Sequence, residues 1–177
     1  IDGKTVGIVG LGNIGQRVAR LLKPFGAQLL FFDAFPPPVD VQRSLGIDQV
    51  SLDELLQRTD IVTLHVPLLP STHHLIGTRE LAMMKPTATL INTCRGPVVD
   101  EAALTEALRR RQIRCAGLDV LAKEPPDPGN PILQLDNVIF TPHAAGVTYD
   151  TWARRGEFII QNLQRVWAGE KPLGVVG

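Results

Sequence analysis

Apolar runs of strand length alternate along this chain with segments whose apolar residues recur at helical spacing. Residues 4–9 are rich in β-branched side chains and predict a strand. Across residues 13–23, Ile14, Val18, Leu21 and Leu22 share one side of a helix, which Pro24 and Gly26 close. Residues 28–32 predict the next strand, ending at Asp33. Pro36, Pro37 and Pro38 break the chain and lead into a short helical segment. Ser51 followed by Glu54 is a capping-box pattern that opens a helix over residues 52–58. Further strands are predicted over 61–64, 88–92, 113–118 and 137–140, and a helix over 100–110 carries Ala103, Leu104, Ala107 and Leu108 on one face. A long helix over 148–167 has Trp152, Phe158, Ile159, Leu163 and Val166 as an apolar stripe, expected to pack into the core rather than to form a partner groove.

Alternating strands and helices specify an α/β fold, a doubly wound parallel sheet of Rossmann type with helices on both faces. The strands are mostly continuous apolar runs, as in a sheet buried on both sides. A length of 177 residues with 44% hydrophobic and 20% charged content suits one globular domain spanning 1–177. Eighteen basic residues balance eighteen acidic ones, so no net field favours nucleic acid or an anionic membrane as a partner. No apolar run approaches the roughly 20 residues of a bilayer span. Cys94 and Cys115 are too few for a disulfide framework, and a reduced, cytoplasmic setting is expected. The chain opens on Ile1 rather than Met, so a fragment or processed product is expected.

The sharpest local signal is Gly10-Leu11-Gly12-Asn13-Ile14-Gly15, between a predicted strand and a predicted helix. In that setting Gly10 permits a tight turn, Gly12 lets the backbone approach a pyrophosphate, and Gly15 lets helix and strand pack closely. The helix N-terminus offers unpaired N–H groups and the positive end of a dipole to phosphates. Asp33 ends the next strand, where a carboxylate accepts hydrogen bonds from the adenosine ribose hydroxyls and repels a 2′-phosphate. Ala34 and Phe35 follow it, with no arginine to offset that repulsion, so NAD is expected over NADP.

Other strands also end in polar residues: Thr93-Cys94-Arg95-Gly96, Asp119 with Glu124-Pro125 beyond it, and Thr141-Pro142-His143. Ligands of open α/β sheets bind at these carboxyl ends, so Arg95, Glu124 and His143 are expected on one edge. In order, the glycine turn, His65-Val66-Pro67-Leu68 with Thr72 after it, Asn92-Thr93-Cys94-Arg95-Gly96, Leu118-Asp119-Val120 with Glu124-Pro125, and Thr141-Pro142-His143 resemble the D-isomer-specific 2-hydroxyacid dehydrogenase family. The resemblance covers nearly the whole chain and is nearest to members of the phosphoglycerate dehydrogenase and hydroxypyruvate or glyoxylate reductase kind.

That resemblance implies an NAD-dependent oxidoreductase acting on a D-2-hydroxy acid or 2-oxo acid. Arg95 matches the arginine that binds the substrate carboxylate, His143 the general acid/base, and Glu124 the carboxylate that orients it. Asp119 matches a residue near the nicotinamide amide, and Val66 and Pro67 a loop near the adenosine. Gly10, Gly12, Asn13, Ile14, Gly15, Asp33, Thr72, Thr93, Cys94 and His143 complete the implied cofactor contacts. The chemistry is coherent by itself: hydride transfer to a keto carbon leaves an oxygen that needs a proton, and a histidine favoured as imidazolium by a neighbouring carboxylate supplies it. The resemblance further implies a homodimer. It also implies a substrate-binding domain largely absent from this chain, leaving a cofactor domain that binds NAD with little or no turnover.

Blander readings stand beside these. Arg95 would serve a structural ion pair, His143 cap a helix or pack, Glu124 be a solvated loop residue, and Asp119 bond to nearby backbone N–H groups. Cys94 is expected to pack rather than attack, and His65 to pack or bond at a strand end. His73 and His74 lack a metal-ligand partner set, so no metal is expected. At the level of function the alternatives are an NAD-sensing corepressor-like binding module and a formate- or phosphite-type dehydrogenase on the same fold.

Overall fold

In the computed structural model, which describes residues 1–175, seven strands form one sheet. They are β1 (Thr5–Val9), β2 (Gln28–Phe32), β3 (Ile47–Gln49), β4 (Ile61–Leu64), β5 (Thr89–Asn92), β6 (Cys115–Leu118) and β7 (Val138–Phe140). Six α-helices accompany them: α1 (Asn13–Leu22), α2 (Val39–Leu45), α3 (Leu52–Arg58), α4 (Thr78–Met83), α5 (Glu101–Arg109) and α6 (Tyr149–Trp167). The sheet order is β3-β2-β1-β4-β5-β6-β7, and every pairing is parallel. From β1 the chain winds outward to β3, then returns to β4 on the other side. The direction of winding thus reverses between β1 and β4, which opens a crevice at their carboxyl ends.

The two-residue period of the strands separates two cores. Val6, Ile8, Leu29 and Phe31 pack with Leu11, Ala19 and Leu45. Val9, Val62, Leu64 and Leu90 pack with Leu55, Leu81, Leu104 and Leu108 on the other side. The chain divides into two compact units, one of residues Ile1–His143 and one that begins at Ala144.

The second unit is α6 and the segment after it. Thr148 caps α6 by accepting from Thr151 N–H at 3.1 Å, and Leu173 N–H donates to Asn162 Oδ1 at 2.6 Å. Within this unit the apolar stripe of α6 is not covered. No residue of α6 is buried, and Trp152, Phe158, Ile159, Leu163 and Val166 are all exposed. The physical reason is that one helix with a short return segment contains no second layer to cover its apolar face.

Elsewhere the differences are small. Ser51 Oγ accepts from Glu54 N–H at 3.2 Å, but the Glu54 carboxylate pairs with Arg58, so the expected capping box works through the serine arm. β3 and α4 were not foreseen; with three and six residues they are too short to show a period.

One residue, Asp60, ties β1 and β5 at the start of β4. Asp60 N–H donates to Thr5 O at 2.8 Å and its carbonyl accepts from Thr89 N–H at 3.0 Å. Its carboxylate accepts from Thr5 N–H at 2.9 Å and Lys85 Nζ at 2.9 Å. The Thr5 N–H bond, and then Lys85, hold Asp60 below its ordinary value of 3.8. Replacing Asp60 by Ala should lower stability by about 1–3 kcal/mol near neutral pH, as expected for hydrogen bonds to a charged group. A pKa lowered on folding means that this contribution is complete above the unfolded value and vanishes as pH falls through the lower folded value. Urea unfolding of both chains should therefore show a gap that narrows as pH falls below the ordinary carboxylate range; a gap independent of pH would deny the charge any role.

Candidate functional site

The turn after β1 is set by close backbone approach. Gly10 has φ +94°, and its N–H donates to Phe32 O at 2.8 Å. A Cβ on residue 15 would lie 2.1 Å from Gly10 O, so only glycine fits there. At Gly12, by contrast, nothing lies within 4 Å of where a Cβ would stand. Gly12 is the N-cap of α1 and no side chain caps that terminus, so the N–H groups of Asn13, Ile14 and Gly15 are available to an anion.

Asp33 follows β2 as expected but has a structural task too. Its Oδ2 accepts from Leu11 N–H at 2.7 Å and its Oδ1 from Phe35 N–H at 2.8 Å. The carboxylate thereby anchors the glycine turn to the end of β2, and each oxygen keeps a lone pair for a further donor. An uncapped helix, open space before it and an acid at the next strand end fit a dinucleotide.

Ile14, Val66, Pro67, Thr93, Cys94 and Arg95 come together with His65 and Leu68 around a cleft of about 470 Å³. Thr72 does not line the cleft but braces the loop that does: its hydroxyl donates to Pro67 O at 2.6 Å and accepts from Leu69 N–H at 2.8 Å. His65 Nε2 lies 3.0 Å from Thr63 Oγ1, the strand-end bond foreseen for it, and burial pushes its pKa down. Burial pushes the Cys94 thiol up, which suits packing and not nucleophilic attack.

Beyond β5, Arg95 is exposed. Among the described residues its guanidinium has no carboxylate partner; Nη1 donates to Cys94 O at 2.6 Å. The turn that carries it is held by Asn92, whose Nδ2 donates to Arg95 O at 3.0 Å and whose Oδ1 accepts from Cys94 N–H at 3.0 Å. A Cβ on Gly96 would lie 1.9 Å from Leu121 O, so this turn presses on the loop that leads to Glu124.

His143 and Glu124 form the clearest chemical pair. His143 Nδ1 lies 2.7 Å from Glu124 Oε2, while Glu124 Oε1 accepts from Leu121 N–H at 2.9 Å. The hydrogen bond with His143 is the largest influence holding the Glu124 carboxyl below its ordinary value, against a smaller opposing effect of burial. An ionised carboxylate is acceptor-only, so Nδ1 carries the proton in this contact and Nε2 is left for a ligand. His143 adopts φ +53°, a left-handed conformation that costs roughly 1–2 kcal/mol. Its N–H donates to Asp119 O at 2.9 Å. Asp119 is 5% exposed, and its carboxylate accepts from the Thr141 hydroxyl at 2.5 Å. These residues border a second cleft of about 470 Å³, walled by Leu118, Leu121, Pro125, Leu133 and Phe140.

Arg95, Asp119 and His143 thus follow β5, β6 and β7, three neighbours in the sheet. Two contributors escaped the sequence reading as individuals, Asn92 and Thr141. The available signal for Asn92 was a polar residue closing an apolar strand. Among the described residues no group of three or more His, Cys, Asp or Glu side chains is placed to hold a metal, and no helix is long and apolar enough to cross a membrane.

Comparison with known proteins agrees with this geometry. Residues 1–145 match the family described as D-isomer specific 2-hydroxyacid dehydrogenase, NAD binding domain. A glyoxylate reductase of Korarchaeum cryptofilum is 45% identical over 176 residues, which are 99% of this chain and 53% of that protein. The structure of D-lactate dehydrogenase with NAD+ from Lactobacillus jensenii superposes with a TM-score of 0.89 at 36% identity, covering 98% of this chain and 56% of that one. An acyclic imino acid reductase in complex with NADPH and D-Arg superposes with a TM-score of 0.90 at 37% identity, covering 100% and 55%. The chain spans from a third to about half the length of the curated relatives it matches. By the extent of the family match and the order of its motifs, the chain belongs to the D-isomer specific 2-hydroxyacid dehydrogenases, in their NAD-binding domain.

Proposed function

We propose that this chain serves NAD-dependent interconversion of a D-2-hydroxy acid and its 2-oxo acid. The observation that carries the reading is the Glu124–His143 pair at 2.7 Å, set two strands from an arginine with no carboxylate partner among the described residues. Bound NAD supplies the hydride acceptor or, when reduced, the donor. The α1 N-terminus and the open side of Gly12 hold the pyrophosphate, and Asp33 accepts from the ribose hydroxyls. Arg95 takes the substrate carboxylate in its planar fork and polarises the adjacent carbonyl. In reduction, His143 gives the Nε2 proton to the substrate oxygen; in oxidation it takes that proton back. Glu124 remains ionised throughout and holds Nδ1–H, which fixes the ring and leaves Nε2 for the substrate. In this reading Asp119 lies near the nicotinamide amide, its carboxylate fixed by the hydrogen bond from the Thr141 hydroxyl.

The reading includes a homodimer, supported by the exposed apolar face of α6, and a cytoplasmic setting, supported by the free thiols of Cys94 and Cys115. The similarity to a glyoxylate reductase at 45% identity favours small 2-oxo acids as substrates.

Asp33 sets the cofactor choice. At about 4 Å and an effective dielectric near 20, a 2′-phosphate would meet repulsion of order 4 kcal/mol before screening. Calorimetric titration should show NADH binding at least about tenfold tighter than NADPH, and Asp33→Ala should narrow the gap. Equal affinities would remove Asp33 from cofactor choice, and binding of neither would overturn the dinucleotide reading. Oxidation of NADH by the full-length protein with a series of 2-oxo acids then tests the reaction.

Glu124→Gln in the full-length protein should reduce kcat/KM for 2-oxo acid reduction by about 10²-fold. The amide keeps the size of the side chain but loses the charge that holds Nδ1–H, so the ring is less firmly fixed. NADH affinity should stay within about threefold of wild type, and an unchanged kcat/KM would separate Glu124 from the proton transfer.

A further inference from the structure

Asn92 closes β5 and is 1% exposed, yet the hydrogen bonds of its amide go to no neighbouring strand. It reaches forward over the turn that carries Arg95. Nδ2 donates to Arg95 O at 3.0 Å, and Oδ1 accepts from Cys94 N–H at 3.0 Å and from Cys94 Sγ at 3.1 Å. The amide orientation is fixed by these partners, because a flip would oppose two donors at Cys94 and two acceptors at Arg95.

Arg95 has little else to hold it. Its side chain is exposed, and its guanidinium bond is to Cys94 O at 2.6 Å. That carbonyl belongs to the peptide that runs between the two groups Asn92 clamps. The guanidinium is therefore aimed by a short chain of contacts: Asn92 to the backbone of Cys94 and Arg95, and Cys94 O to Nη1. The main-chain carbonyl of Asn92 meanwhile accepts from Asp119 N–H at 2.9 Å, so the clamp is mounted on the strand pair β5–β6. Gly96 presses on Leu121 O, and Leu121 N–H donates to Glu124. The turn bearing Arg95 and the loop bearing Glu124 are consequently set against each other.

From this geometry we infer that Asn92 is a positioning residue for substrate, fixing Arg95 through the backbone of its turn and acting on the 2-oxo acid without touching it. The inference rests on the reading of Arg95 as the substrate-carboxylate ligand. It accounts for a buried amide whose bonds all go to the turn bearing a solvent-exposed arginine.

The test is a double-mutant cycle in the full-length protein, with NADH affinity and KM for the 2-oxo acid as separate readouts. Asn92→Asp keeps the size and the bond from Cys94 N–H but sets an acceptor against Arg95 O. It should raise KM for the 2-oxo acid by about 10- to 100-fold, the usual result of misplacing a binding group by about 1 Å, and leave the NADH dissociation constant within about threefold. Asn92→Ser, which shortens the clamp, should act in the same direction. In an Arg95→Ala background neither substitution should cost anything further, because the group they position is gone.

Wild-type turnover by Arg95→Ala would refute the reading of Arg95 and this inference with it. A crippled Arg95→Ala accompanied by unchanged KM in both Asn92 variants, or by equal costs in both backgrounds, would refute the inference alone. Joint loss of NADH binding and substrate use in both Asn92 variants would assign Asn92 to the fold and equally overturn it.

Discussion

The carbonyl oxygen of Gly10 stands 2.1 Å from where a side chain on residue 15 would begin, and the rest of the site follows from that contact. It lets α1 start against the end of β1, the strand at which the sheet reverses its winding. A helix displaced by even one methyl group would carry its N-terminal N–H groups away from the crevice, and the packing of Leu11 and Ala19 against Ile8 would have to give. Asp33 reinforces the arrangement from the neighbouring strand through Leu11 N–H. One carboxylate is thus shared between building the turn and, in the proposed function, choosing the cofactor. Asp33→Ala therefore loosens the turn as well as the selectivity, so the ratio of NADH to NADPH affinity is more informative than either value.

The alternation of apolar runs and helical segments was sufficient for the layer architecture because each of the longer strands is buried on both faces. β1 and β2 fall where β-branched and apolar residues run unbroken. The polar ends of β5, β6 and β7 were legible for the same reason: the apolar runs stop at Asn92, Asp119 and Thr141, and Arg95 and His143 follow within three residues. What was not legible depends on contacts that sequence order does not encode. The Leu11–Asp33 bond joins residues 22 apart, and the Asp60–Lys85 bond joins residues 25 apart. The amphipathic period of α6 was legible as well; the period specifies an apolar face, not what covers it.

Asp60 and Glu124 show why a lowered carboxylate pKa does not by itself mark an active site. Both accept a backbone N–H and pair with a basic side chain. Asp60 sits before β4, where its partners are the edge of β1 and Lys85, and its charge serves the sheet. Glu124 lies past the carboxyl end of β6, and its partner is a histidine with a free ring nitrogen. Function is set by the partner and by the end of the sheet on which the pair sits.

Parallel register carries that distinction further. Three candidate site groups hang from consecutive strands whose backbones are locked by Asp119 N–H to Asn92 O, Thr141 N–H to Leu118 O and His143 N–H to Asp119 O. The backbone positions of Arg95, Asp119 and His143 are therefore inherited from the sheet, and what remains to be fixed is side-chain freedom. For Asp119 the Thr141 hydroxyl removes it; for His143 the Glu124 carboxylate does. Arg95 has the longest side chain of the three and no such partner. Its aim depends on the backbone of its own turn, which makes the rigidity of that turn the condition for holding a carboxylate in register with the histidine.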